Sequence, residues 1–196
     1  MCCAVTLLRS PLIGPLTAFV ESMRGETGEV GIPFFDPLDG GIGAECLFLL
    51  EAPGPRAVSS GFISRNNPDE TAKNWFELNL AAGIDRRRTI SWNIVPWYIG
   101  NSGRIRAATM TDIDRGLPYL RRLLALLPAL RVVVLIGQKA GRARASIHSQ
   151  AREVTILEMP HPSPMFINRR PHHRDLVLER LQHVRQVLDE KHPQTT

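Results

Sequence analysis

The chain has 196 residues, 43% of them hydrophobic, which is the size of one ordinary domain and enough to bury a core. Lys and Arg number 24 against 19 Asp and Glu, and the net charge of +5 suits a polyanionic partner without specifying one. No apolar run reaches the length of a membrane span, and Cys2, Cys3 and Cys46 form neither a CxxC pair nor a disulfide framework.

Arg9, Pro11 and Pro15 interrupt the apolar N-terminal stretch and no basic region precedes it, so a secretory leader is not expected. A reducing, cytoplasmic setting fits the cysteines best. In chain order, residues 12–24 read as an amphipathic helix inside a lead-in covering 1–35, and PFFDPLDGG at 33–41 is turn-rich. Short apolar runs then alternate with helical patterns, as parallel strands joined by crossover helices do. The expected strands are 46–50, 89–95, 131–136 and 153–158; the expected helices are 69–82, 112–127, 138–147 and 172–190. In the last helix Val177, Leu181, Val184 and Leu188 form one stripe that must face the sheet. The tail 191–196 should fray, and the whole of 1–196 reads as one unit, expected to be a monomer.

Ligands of open parallel sheets sit at the carboxyl ends of the strands, and there the sequence is unusual. Glu51 follows four apolar residues and precedes Ala-Pro-Gly. It is either a solvated strand exit or a rigidly held carboxylate able to orient water and oppose a cationic sugar. His161 lies between two prolines, either merely exposed or a donor for an anion forming on a leaving group. Asn93, within an apolar strand, is a structural amide or a donor and acceptor pair for the edge of a base. Arg65, Lys139, Arg142, Arg144, Arg169 and Arg170 could together track phosphates, although singly each reads as a surface charge. His172 and His173 are adjacent, and no His or Cys pair shares a helical face with a nearby carboxylate, so no metal site is expected; GQKAG at 137–141 lacks the full P-loop pattern.

In combination these segments resemble the uracil-DNA glycosylase superfamily. LEAPG at 50–54 is similar to the GEAPG motif of the iron–sulfur branch, whose catalytic Glu would be Glu51. ISWNIVPW resembles the strand whose Asn reads uracil, here Asn93, and HPSP matches the second main motif, carrying His161. SGFIS is similar to the stretch that supplies a stacking aromatic, Phe62, and VVVLIGQKA resembles the family's third strand with its following helix. The likeness runs from about residue 36 to about residue 186.

The resemblance implies a three-layer α/β/α sandwich around a four-stranded parallel sheet, in agreement with the strand count. It implies excision of uracil from double- or single-stranded DNA by base flipping, with Ala52 and Gly54 beside the base, Ser163 on DNA and Met165 as the apolar wedge. Three departures stand out. Leu50 replaces the first Gly of the motif, and the cluster-binding cysteines are missing, so no cofactor is expected. Gly54 occupies the position where the best-known branch places a Tyr that excludes the methyl of thymine, so strict uracil selectivity does not follow. The rival expectation is a protein of the same fold that binds uracil or abasic sites without efficient turnover; an unrelated nucleotide-binding α/β protein is a third.

Overall fold

The computed structural model describes residues 7–101 and 104–190; Cys2, Cys3 and the tail 191–196 lie outside the described residues. Helix α1 (Gly14–Thr27) carries Pro15 in its first turn, where a missing backbone N–H costs nothing. Then follow β1 (Phe34–Phe35), β2 (Cys46–Leu50), α2 (Pro55–Ser60), β3 (Phe62–Ile63), α3 (Glu70–Ala81) and β4 (Thr89–Asn93). Asp69 caps α3 by accepting the N–H of Ala72. The short strands β5 (Gly100–Asn101) and β6 (Arg104–Ile105) pair antiparallel. They precede α4 (Met110–Ala125), which opens with a reciprocal capping box between Thr109 and Asp112. The remainder is β7 (Val132–Ile136), α5 (Gly137–Ala140), α6 (Arg144–Gln150), β8 (Thr155–Met159), α7 (Pro164–Ile167) and α8 (His173–Asp189).

The four expected strands form one parallel sheet in the order β4-β2-β7-β8; 46–50 is found as expected and the ends of the other three differ by at most two residues. The two central strands are apolar throughout because the sheet is covered on both faces. Leu47, Leu49, Val133, Leu135, Ile90 and Trp92 face one layer, where Leu16, Phe19, Ile113, Leu123 and Ile147 of α1, α4 and α6 cover them. The alternate residues Cys46, Phe48, Val132, Val134 and Ile136 face the other, against Trp75 and Leu78 of α3 and the Val177, Leu181, Val184 and Leu188 stripe of α8. This is the expected three-layer sandwich. Each fully buried aliphatic side chain contributes about 1.5–3 kcal/mol.

Two elements differ from the periodicity. The expected helix 138–147 is α5 and α6 separated by a tighter 3-10 turn at Gly141–Ala143, at the poor helix former Gly141. Residues 34–35 and 62–63 also pair in parallel, Phe34 opposite Phe62. This ladder lies on the β4 side of the sheet, because the ring of Phe35 stacks on Trp92 at 4.0 Å between centroids. At the opposite edge β8 is only partly covered, and Glu158 there pairs with Arg144 at 2.7 Å. No described helix is long and apolar enough to cross a membrane.

Candidate active site

Parallel strands deliver their carboxyl ends to one edge, and three chemically distinctive residues arrive there. Leu50 at the end of β2 is in register with Asn93 at the end of β4, so Glu51 and Asn93 leave the sheet on neighbouring strands. Ile94 donates to the Leu50 carbonyl at 2.8 Å and Val95 to the Glu51 carbonyl at 2.9 Å, which extends the ladder beyond both strands and fixes both residues. Asn93 is 3% exposed. Among the described residues no side-chain hydrogen bond engages its amide, which carries one donor group and one acceptor.

Glu51 is half-buried and its Oε1 accepts the backbone N–H of Ala108 at 2.6 Å. One carboxylate oxygen is thereby held in place, and the other can take a water. The loop after β8 brings His161 over the end of β7 and toward this carboxylate. Gly137 has a φ of 80°, a conformation that L side chains rarely adopt, and a Cβ built there would lie 3.8 Å from the Cβ of His161. His161 therefore folds over the end of β7, the strand beside β2. Burial lowers the pKa of its imidazole, while the charge of Glu51 acts in the opposite direction. Burial prevails, so the ring is neutral at neutral pH and offers an N–H rather than a full positive charge.

The loop that carries His161 is tied to the helical layer by contacts the sequence reading missed. Asn74 of α3 donates to the Pro162 carbonyl at 3.2 Å, and Arg174 of α8 donates to Asn74 at 3.3 Å and pairs with Glu77 at 2.7 Å. His173 donates from Nδ1 to the Phe166 carbonyl at 2.7 Å and stacks on the Phe166 ring at 4.1 Å. Its role is to hold the loop. Among the described residues no group of three His, Cys, Asp or Glu side chains could hold a metal. Ser163 heads the short α7, and Met165, its second residue, is 85% exposed.

Ala52 and Gly54 flank the buried Pro53 directly after Glu51, and nothing lies within 4 Å of a Cβ built on Gly54. Phe62 is half-buried beside Phe34, ring centroids 6.4 Å apart, on the Asn93 side of the sheet. Beyond His161, a cavity of about 660 Å³ runs along Gly137, Gln138, Arg142, Pro160 and Arg180. Arg180, which the helical pattern gave no reason to single out, joins Arg142 there, while Arg169 and Arg170 are exposed after α7.

Two basic residues are not where the sequence reading put them. Arg65 is only 7% exposed and donates to Thr89 Oγ1 at 2.8 Å, at the amino end of β4 and a strand length from Asn93. It belongs to a buried cluster in which Arg86 binds Asp39 at 2.7 Å and also Asp36. Burial raises Asp39 to about 6 against the opposing charge of Arg65. An arginine sealed there cannot reach a DNA phosphate. Lys139 is half-buried and donates to the Ala108 carbonyl at 2.6 Å, so its ammonium is directed into the protein. Arg144 is engaged by Glu158.

A family model described as the Uracil DNA glycosylase superfamily matches residues 25–185. A comparison with curated proteins found no match. Among solved structures the chain is similar to wild-type SMUG2 of Pedobacter heparinus, at 12% identity and a TM-score of 0.57, covering 91% of this chain and 85% of that one. A candidate uracil DNA glycosylase of Methanosarcina acetivorans matches at 14% identity and a TM-score of 0.48, over 76% and 94% of the two chains. A tyrosine-to-glycine mutant of UNG from Nitratifractor salsuginis matches at 13% identity and a TM-score of 0.42, over 91% and 96%.

Proposed function

The chain belongs to the uracil DNA glycosylase superfamily, and from that premise we propose that it is a monofunctional DNA glycosylase that flips uracil out of DNA and leaves an abasic site. The observation that carries this reading is the convergence of Glu51, Asn93 and His161 on one edge of the sheet, with the amide of Asn93 unengaged among the described residues and the imidazole of His161 neutral. The enzyme acts as a monomer and as one domain spanning the chain, on double- or single-stranded DNA.

The target nucleotide rotates into the crevice at an unstacking cost of a few kcal/mol. Arg142, Arg169, Arg170, Arg180 and Ser163 follow the backbone, and Met165 enters the gap in the stack. Phe62 stacks on the base, with Ala52 and Gly54 against its rim. Asn93 accepts from N3–H and donates to O4; cytosine inverts that pattern and is rejected. The glycosidic bond breaks with its electron pair on the base. His161 donates to the oxygen where that charge collects. Glu51 opposes the cationic sugar and takes the proton of the water whose oxygen bonds to C1′.

Incubation with a uracil-containing oligonucleotide followed by alkali tests the reading. Strand cleavage at catalytic amounts of protein is the expected result. A stable shifted complex without cleavage would replace the enzyme with a binder of the same fold.

A further inference from the structure

We propose that Lys139 is a positioning residue for Glu51, acting through the backbone of Ala108 and not through DNA; this rests on the glycosylase reading above. The sequence suggests a phosphate contact for Lys139, but its ammonium is directed inward. It donates to the Ala108 carbonyl at 2.6 Å, and the N–H of the same residue donates to Glu51 Oε1 at 2.6 Å. Ala108 is 1% exposed, so the backbone end of each bond is shielded from water, while the two side chains are half-buried.

The next peptide is held just as firmly. Its carbonyl is that of Ala108, bound by Lys139, and its N–H, on Thr109, donates to Asp112 Oδ2 at 2.8 Å. Asp112 also accepts from Thr109 Oγ1 at 2.6 Å and from Arg106 at 2.6 and 2.9 Å. Hydrogen bonds from Arg106 first, and from Thr109, hold the Asp112 carboxyl well below the usual carboxylate range. One peptide unit thus carries a cation on its oxygen and an anion on its nitrogen, and charge-assisted bonds of this kind are short and directional.

The consequence is geometric. Ala108 belongs to an extended segment before α4, which has no sheet ladder of its own to set its position. Lys139, on the helix directly after β7, ties that segment to the sheet edge from which Glu51 emerges. With Oε1 fixed, the second oxygen of Glu51 has a defined direction toward the attacking water. Catalytic rates fall steeply when such a group moves by an ångström.

The experiment compares wild type, Lys139→Met, Glu51→Gln and the double variant. For Lys139→Met the single-turnover excision rate should fall by about 10- to 100-fold, with DNA affinity and its salt dependence unchanged. In the Glu51→Gln background the same substitution should cost nothing further, because its effect passes through that carboxylate. A phosphate contact would instead weaken binding and flatten the salt slope by about one unit, and that result, or a full extra loss in the double variant, overturns the proposal. Amide hydrogen exchange supplies a readout independent of catalysis: exchange at Ala108 should accelerate in Lys139→Met while the core amides keep wild-type rates. Unchanged exchange at Ala108 refutes the coupling whatever the activity. A wild type that excises nothing, with the exchange effect intact, removes the glycosylase reading alone.

Discussion

Replacing Glu51 by Gln removes a charge while keeping an oxygen that can accept from Ala108. The 2.6 Å contact to that N–H therefore survives, and the fold with it. A net loss of about 1 kcal/mol from weakening one charge-assisted bond would lower the thermal midpoint by only about 2–4 °C in a chain of this length. The catalytic loss should be larger. A carboxylate about 4 Å from a unit positive charge, at an effective dielectric constant of about 20, contributes about 4 kcal/mol, which corresponds to about 10³ in rate. The Gln dipole recovers part of this, so excision should slow by about 10² or more. The same change removes the charge that raises the pKa of His161; the imidazole becomes still harder to protonate, so loss of the neutral ring cannot account for the effect. Single-turnover cleavage of a uracil oligonucleotide with protein in excess reads the rate, and fluorescence anisotropy reads binding, which should stay near wild type. A folded Glu51→Gln protein that excises uracil within a few-fold of wild type would refute the assignment.

His161→Ala should slow excision by about 10², with smaller losses on bases that are better leaving groups; equal activity on every base would contradict its role. Because burial lowers the folded-state pKa of His161, unfolding takes up a proton below the ordinary value of about 6.5, and stability should decline as pH falls from there toward the lowered value. Denaturant titrations should show this decline in wild type and a shallower one in His161→Ala. Met165 is 85% exposed, so Met165→Ala should leave the thermal midpoint nearly unchanged yet slow excision from duplex more than from single strands; equal losses on both would remove the wedge. Gly116→Ala would place a Cβ 2.0 Å from the Ile94 carbonyl oxygen, where α4 meets the exit of β4. Overpacking should cost about 1–3 kcal/mol and outweigh the helix propensity gained, and a raised thermal midpoint would contradict that close approach.

The sheet is legible because its central strands are buried on both faces and read as unbroken apolar runs, as CLFLL and VVVLI do. Glu51, Asn93 and His161 stand out as candidates because strand ends near Pro or Gly are where polar residues are conspicuous in the sequence. Side-chain environment was not legible. Arg65 in a polar loop looks like any solvated charge until Asp36, Asp39 and Thr89, remote in sequence, close around the cluster. Lys139 looks the same until the Ala108 carbonyl is known to lie within its reach. The support that Asn74 gives to Pro162 spans 88 residues and leaves no local pattern. The break at Gly141–Ala143 is lost in a periodicity that a 3-10 turn changes only slightly.

The partial cover of β8 has a consequence for how copies of the protein meet. The Thr155 N–H is spent on the Arg131 carbonyl, so in a parallel ladder the backbone groups of Ile156 and Glu158 point away from β7. An open edge of that kind is a template on which another chain can pair and aggregate. Here the template carries Glu158 and its partner Arg144, both half-exposed. A second strand adding to this edge would have to strip water from that ion pair in each molecule that joins. At the other edge the ring of Phe35 stacks on Trp92 of β4, on the face of the sheet that α1, α4 and α6 cover. Adding a strand at β8 therefore carries the desolvation of the Arg144–Glu158 pair as a cost.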